Sequence, residues 1–450
     1  KIFSNLSLIY SDYDYDLKLN FVEFDWVSGI RNFNLKYDFK HYLNDTFKLQ
    51  YGLNSIYYTF NPGDIKPTKE SSGINPFKLT DKYAFENAIY LDAEHKISDN
   101  LALSYGLRLS TFHRLGQNEL NVYENDEAVL FNADFQIYEK ADPIGTETFE
   151  RSDVIAKFAN LEPRASVAYQ LNSKSSVKAS YNRMSQYLHL LSNTNSPTPL
   201  DVWTPSGKFV KPQLLDQFAV GYFKDFDNSR YSLEIESFYK TIKNRIDYID
   251  GADLIANNAI EQVILNGKAR AYGAELLLRK NEGRFKGWLA YTLSKSEQQT
   301  KGRTPLETGI NNGNWYRTPF DKTHDISLTG SYDLNDRWKF NANFLFQTGQ
   351  PATFPNGQYQ FNGIIVPSYN SRNSDRLPAY NRLDISATYT PKANKTRGWQ
   401  SYWVFGIYNL YNRRNAASIT FGQNEITRAN EASRLSIFGI VPSISYNFKL

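Results

Sequence analysis

The chain has no cysteine. That excludes a disulfide framework, a thiolate metal site and a cysteine nucleophile, although it assigns no compartment by itself. Charge of one sign is also missing. Lys and Arg total 51 against 47 for Asp and Glu, a net of +4, so composition demands no nucleic acid or other polyanion. No run of eighteen or so apolar residues occurs, which excludes a membrane-spanning helix. The opening "KIFSNLSLIYSDYDYD" runs straight into a strand-like pattern and contains no signal peptide. The motifs of common enzymes are absent too: no G-x-S-x-G, no H-E-x-x-H and no G-x-x-x-x-G-K-[ST]. The five histidines, His41, His95, His113, His189 and His324, are dispersed, whereas metal ligands cluster. These absences point away from an enzyme, a catalytic site, a metal and a cofactor.

Aromatic residues are what the chain has in excess. Tyr and Phe number 32 and 30, yet mean hydropathy is only −0.54. The arrangement explains this. In "NFNLKYDFKHYLNDTFKLQYGL" Phe33, Leu35, Tyr37 and Phe39 alternate with Asn34, Lys36, Asp38 and Lys40. After "LND" the alternation resumes through Phe47, Leu49, Tyr51 and Leu53. Period two predicts strands, and "LND" predicts a hairpin turn. The same alternation recurs in "LALSYGLRLS", "SVKASYNR", "YSLEIES", "WKFNANFLFQ", "LDISATYT" and the closing "SISYNFKL".

Short connections take turns with long ones. The short ones include "SDYD" near Asp12, "LND" near Asp45, "SDN" near Asp99, "NSKS" near Ser173 and "NEG" near Glu282. The long ones cover roughly 61–79, 114–153, 191–212, 248–262, 299–320, 350–377 and 413–432, with "SGI" near Gly29 as a short exception among them. Long, strictly alternating strands joined this way predict an all-β, transmembrane antiparallel barrel of the outer-membrane type, with turns periplasmic and loops extracellular. Phe33, Leu35, Phe47 and Leu49 then face lipid. Lys36, Asp38, Lys48, Arg108, Lys178, Glu234, Glu236 and Asp384 face a wet lumen, and their mixed signs argue against a single-sign selectivity ring. Trp26, Tyr57, Tyr58, Trp288 and Trp403, near strand ends, are candidates for the interfacial aromatic girdle. The connections imply about seventeen strands; bacterial barrels are even-numbered, so the chain is expected to begin part-way round a barrel, with its first and last strands unpaired with each other.

Chemistry is sparse. "DYDYDL" at Asp12–Leu17 imitates the start of a calcium loop but has Leu17 where glycine is required, and reads as a turn. The 114–153 loop is acidic and reads as a soluble surface loop. Ligand-facing candidates are aromatics and cations on the long loops: Trp203 and Lys208 in "PLDVWTPSGK", and Trp315, Tyr316 and Arg317 in "NNGNWYRTPF". Such pairs stack on flat or ring-shaped ligands.

Those loops also carry a resemblance. "YNRMSQYLHLLSNTNSPTPLDVWTPSGKFVKPQLLDQFAVGYFKDF", Tyr181 to Phe226, resembles the mid-barrel segment of TonB-dependent outer-membrane receptors, in the subgroup with a carboxypeptidase-like regulatory domain before the plug. "GAELLLRK", "GWLAYTLSKSE", "FQTGQPATFPNGQY", "RLPAYNRLDISATY" and "RLSIFGIVPSISYNFKL" are similar to the same family. The resemblance implies that residues 1–450 are the C-terminal part of a plugged barrel of about 22 strands in the outer membrane of a Gram-negative cell. Plug and TonB box are not in this sequence. It also implies active uptake of a siderophore, vitamin, glycan or peptide. The partners would be outer-membrane lipid, the TonB complex through an N-terminal segment, and a surface lipoprotein or other outer-membrane subunit. A structural subunit of a larger outer-membrane complex is the alternative, and a passive porin the weaker one.

Overall fold

A computed structural model describes residues 1–19, 23–69, 73, 75–192, 201–255, 257–392, 399–424, 426–427 and 429–449. Leu450, expected on the final strand, lies outside the described residues, as do 193–200 of one long loop. Among the described residues, sixteen long strands form one antiparallel meander. They are β1 (Ile2–Leu19), β2 (Phe24–Tyr42), β3 (Phe47–Pro67), β4 (Lys82–Lys96), β5 (Leu101–Leu115), β6 (Val154–Asn172), β7 (Ser175–Gln186) and β8 (Gln213–Phe226). Then follow β9 (Tyr231–Tyr248), β10 (Ile264–Lys280), β11 (Phe285–Gln299), β12 (His324–Asp333), β13 (Trp338–Gln347), β14 (Tyr380–Tyr389), β15 (Gln400–Tyr408) and β16 (Val441–Lys449). Each pairs with its sequence neighbours, and two-residue strands at 77–78 and 316–317 lengthen the sheet at its loop end. Among the described residues, β1 pairs only with β2 and β16 only with β15, as expected of the two edge strands.

The strand count corrects the sequence reading. "SDYD" and "SGI" are not connections: β1 runs through Asp12 and Asp14, and β2 runs through Ser28 and Gly29. Asp12 sits opposite Arg31 and binds its Nε at 3.1 Å, a cross-strand pair that a turn would have forbidden. Turn-forming residue types here serve the ladder. A Cβ on Gly29 would lie 2.6 Å from the Tyr13 carbonyl oxygen, so this glycine permits close strand approach. The region up to Tyr42 thus holds two strands where the sequence connections imply three, and the count is even. Both the start of β1 and the end of β16 lie at the short-turn end, since Lys1 donates its amino group to the Tyr42 carbonyl at 2.8 Å and Lys449 opposes Gln400.

Register shows which side chains share a face. Tyr37, Leu53, Ile89, Leu109 and Leu161 form one apolar row across β2 to β6. Leu233, Leu278, Leu289, Leu328, Phe344 and Leu383 form another across β9 to β14. These rows are open to the surroundings; Ile89 is 61% exposed. An apolar band of this extent on a polar chain marks a lipid-facing wall.

The opposite face is held by charge. Lys36 and Asp38 pair at 3.0 Å, Lys48 and Glu94 at 2.5 Å, Arg108 lies 3.6 Å from Glu86, and Arg164 binds Asp92. The predicted lipid and lumen assignments of Phe33, Leu35, Lys36, Asp38 and Lys48 match this register.

The aromatic girdle divides. Tyr57 and Trp403 stand on the apolar face. Trp403 packs against Tyr446 at 4.6 Å beside the Trp338–Tyr389 pair at 4.8 Å, which makes an interfacial belt at the turn end. Trp26, Tyr58 and Trp288 are on the other face. Trp26 is fully buried, and a Cβ on Gly63 would lie 2.2 Å from its ring. Proximity to a strand end does not fix the surroundings of a ring; the side of the pleat does.

The long connections are not structureless. They contain hairpins at 118–149, 129–140, 188–205, 355–369 and 418–435. Among the described residues, the largest buried cluster joins Val129, Leu191, Val202, Val263, Ile310 and Tyr316 of the loops to Ile246 near the end of β9. Each such side chain contributes roughly 1.5–3 kcal/mol on burial, which ties the loops into a cover over the lumen.

Candidate functional site at the loop-covered mouth

The site begins with one extra residue. Asn244 (φ 56°) makes a bulge in β9 between Lys243 and Arg245, and its side chain donates to the Pro212 carbonyl at 2.8 Å. The bulge shifts the pleat by one position, so Arg245 and Asp247 turn towards the lumen.

Asp247 is buried to 3% exposure and collects three donors from two loops, 300–323 and 348–379. Thr300 donates its hydroxyl at 2.7 Å, Arg372 its Nη1 at 2.7 Å, and Tyr316 its hydroxyl. Arg372 also donates to the Tyr248 carbonyl at 2.8 Å and to Asp250. Its own backbone exchanges two hydrogen bonds with the Asn311 side chain. Burial opposes the charge on Arg372, but Asp247 and Asp250 outweigh it and raise its pKa. Burial and then the Asp247 carboxylate push the Tyr316 hydroxyl up, so it stays a donor.

This clasp borders a hollow of about 650 Å³ lined by Arg245, Tyr248, Asp250, Arg372, Gln213 and Gln298, among others. His189 stands in its wall between Ser206 (2.9 Å) and Gln213 (3.3 Å). Burial, aided by the positive charge of Arg245, lowers its pKa to about 4, so it is neutral at pH 7. Gln298 donates to the Tyr316 hydroxyl at 2.9 Å, while its Oε1 has no partner among the described residues. The hollow therefore offers guanidinium groups, a carboxylate and the unpartnered Oε1 of Gln298. These groups are complementary to a polar ligand rather than arranged as a nucleophile and base. A hollow of about 1000 Å³ lies between the 355–369 and 418–435 hairpins, yet it lacks such a convergence of buried polar groups.

The five sequence candidates do not converge. Tyr316 is buried and belongs to the clasp. Trp203 packs on the Tyr58, Phe60, Phe112 and Tyr187 cluster inside the loop cover. Lys208 binds Asp126 at 2.6 Å in another part of that cover. Trp315 lies under the Arg270 guanidinium at 4.1 Å, and Arg317 opposes Glu297, both on the outer face of the wall. Arg245, Asp247 and Arg372 gave no sequence signal, because a bulge and a contact 125 residues away create their site. The run "KNRIDY", with Asn before two charges at a strand end, is the nearest thing to one.

Residues 3–410 match the family model for the β-barrel of TonB-dependent receptor-like proteins. Among solved structures, the ferric-catecholate import receptor Fiu of E. coli K12 aligns at 15% identity and a TM-score of 0.56, over 94% of this chain and 55% of its own. The ferric yersiniabactin uptake receptor FyuA of Yersinia pestis gives 13% and 0.56, over 99% and 58%. The ferripyoverdine receptor of Pseudomonas aeruginosa gives 12% and 0.56, over 99% and 53%. The chain thus spans a little over half the length of these receptors. A comparison with curated proteins finds no match.

Proposed function

Since the chain belongs to the TonB-dependent receptor-like β-barrel family, we propose that this outer-membrane wall serves energised uptake of a nutrient bound beneath its loops. The chain is a receptor and transporter component, not an enzyme. The observation that carries the proposal is the hollow at the clasp of Asp247 and Arg372, where loops from distant parts of the chain meet polar groups of the wall. Its mixture of guanidinium, carboxylate and amide groups suits a polar, multiply hydrogen-bonding ligand, a siderophore or short peptide before a vitamin. The receptors similar in structure are named for ferric siderophores, which supports the siderophore reading. In the same reading, edge strands β1 and β16 pair with further strands of a larger barrel of about 22, because unpaired backbone groups in hydrocarbon cost several kcal/mol each. A plug fills the polar lumen, TonB supplies the energy, and a surface lipoprotein of the regulatory-domain subgroup completes the assembly.

The test is whole-cell uptake of labelled ferric siderophores and peptides, with and without TonB. Uptake that requires both the receptor and TonB, and falls on Arg245→Ala, is expected. A receptor-dependent flux that is indifferent to TonB supports a passive pore. No flux, together with co-purification in a stable larger complex, supports a structural subunit.

A further inference from the structure

The outer face of β7 to β11 carries charge where lipid is expected. Arg183, Asp216, Thr241, Arg270, Glu297 and Arg317 form one continuous cross-strand row. The next row inwards from the loops is Tyr181, Phe218, Tyr239, Tyr272 and Lys295, which places both rows on the lipid-facing side. One row towards the loops, Lys243 and Lys268 stand directly opposite each other. Like charges in that position repel.

The local carboxylates do not absorb this charge. Asp216 takes a two-pronged contact from Arg183 at 2.8 and 2.9 Å and the Tyr181 hydroxyl at 2.7 Å. Glu297 takes Arg270 at 2.8 Å and Lys295 at 2.6 Å. Arg270 and Lys268 also flank Trp315, at 4.1 and 5.3 Å. Six cations thus surround two carboxylates, and Lys243 and Lys268 make no ion pair among the described residues.

Two further features identify what would neutralise them. Thr241 stands ten residues from Tyr231 at the turn end of β9. That is roughly 33 Å of strand, or about 25 Å of height after a tilt of ~40°, which equals the height of a barrel's apolar band. The cations therefore sit at the headgroup level of the outer leaflet. Directly below them the same face dips into an apolar trough of about 740 Å³, where Ala165, Val167, Ala179 and Val220 lie between Tyr105, Tyr181, Phe218 and Tyr239.

We propose that the Lys243, Lys268 and Arg270 cluster and the trough beneath it form a docking site for one phosphorylated, multi-acyl lipid of the outer leaflet. The phosphates lie between Lys243 and Lys268 and against the Arg270 guanidinium, and an acyl chain fills the trough. Arg is suited to phosphate by its planar fork, and Lys by its compact charge.

The test is native mass spectrometry of the full chain in mild detergent, stripped of lipid and titrated with bis-phosphorylated lipid A. Lys243→Gln with Lys268→Gln is expected to weaken binding by about tenfold or more. Removing both phosphates from the lipid has a similar effect, and Ala179→Trp, which fills the trough, weakens it several-fold. Lys178→Gln with Lys240→Gln removes equal charge from the luminal face and leaves binding unchanged. Assembly of each variant is checked by its heat-modifiable mobility. If the double variant does not assemble, Lys243→Gln alone carries the test, with a several-fold loss expected. Equal affinity for phosphorylated and dephosphorylated lipid, undiminished binding in an assembled Lys243 variant, or equal weakening by the luminal variant overturns the proposal.

Discussion

The wall and its loop cover use the same polar residues to different ends. In the wall, Arg164 and Asp92 meet over Gly106 on the wet luminal face, with the arginine 43% exposed. In the cover, Arg372 and Asp247 meet among buried loops, with the carboxylate only 4% exposed. A solvated pair adds little, because water competes for both ends. A buried pair cannot lose one partner without stranding the other. The wall's stability therefore comes from its ladder and its lipid-facing rows, while the cover depends on a few buried contacts between distant segments.

The sharpest way to break that contrast is Arg372→Met. It leaves the Asp247 charge buried without its cation, and docking of the 348–379 loop should weaken by ~3–5 kcal/mol. Hydrogen exchange should report opening around residues 350–377 while β9 stays protected. Unchanged protection would show that the clasp does not hold the loop.

Next comes the wall itself. Leu35→Arg puts a charge on the lipid face and should cost roughly 2–4 kcal/mol near the midplane, whereas Lys36→Leu should be tolerated. Loss of the heat-modifiable folded band in the first variant only is the expected result.

The pH response of the cover is a smaller effect. His189 has its pKa lowered to about 4 by burial, against about 6.5 in an unfolded chain. The unfolded state binds the proton first, so stability is full above about 6.5 and declines as pH falls towards 4. Opening of the 188–205 hairpin should rise by up to about tenfold per pH unit within that window, and His189→Gln should flatten the response. Amide hydrogen exchange at 188–191 and 202–205 between pH 7 and 5 measures it.

The smallest effect belongs to the exposed pair. Arg164→Gln should change stability by about 1 kcal/mol or less in chemical denaturation. A loss comparable to that of Arg372→Met would erase the distinction between wall and cover.

How much of this was legible follows from distance in sequence. Alternation is local, so the two faces of β2 and β3 could be read residue by residue from Phe33 to Leu53. Turn chemistry is local too, but it misled at "SDYD" and "SGI", where register with the partner strand overrides the residues' preference. The girdle candidates Trp26, Tyr58 and Trp288 failed on a single step of pleat phase. The mouth was the least legible part. Tyr316 stands out in sequence as an aromatic on a long loop, but Asp247 and Arg372 meet across 125 residues and only after Asn244 has re-aimed the strand. Trp315 and Arg317, its neighbours in the sequence, lie on the other side of the wall, because adjacent strand residues alternate.

The most direct test is a spin-label scan of β2 from residues 33 to 40 in reconstituted membranes. Odd positions should be accessible to oxygen dissolved in lipid, and even positions to a water-soluble paramagnetic reagent, in strict alternation. Accessibility without a period of two, or with the opposite phase, would contradict the account of this chain as a membrane wall with a polar lumen.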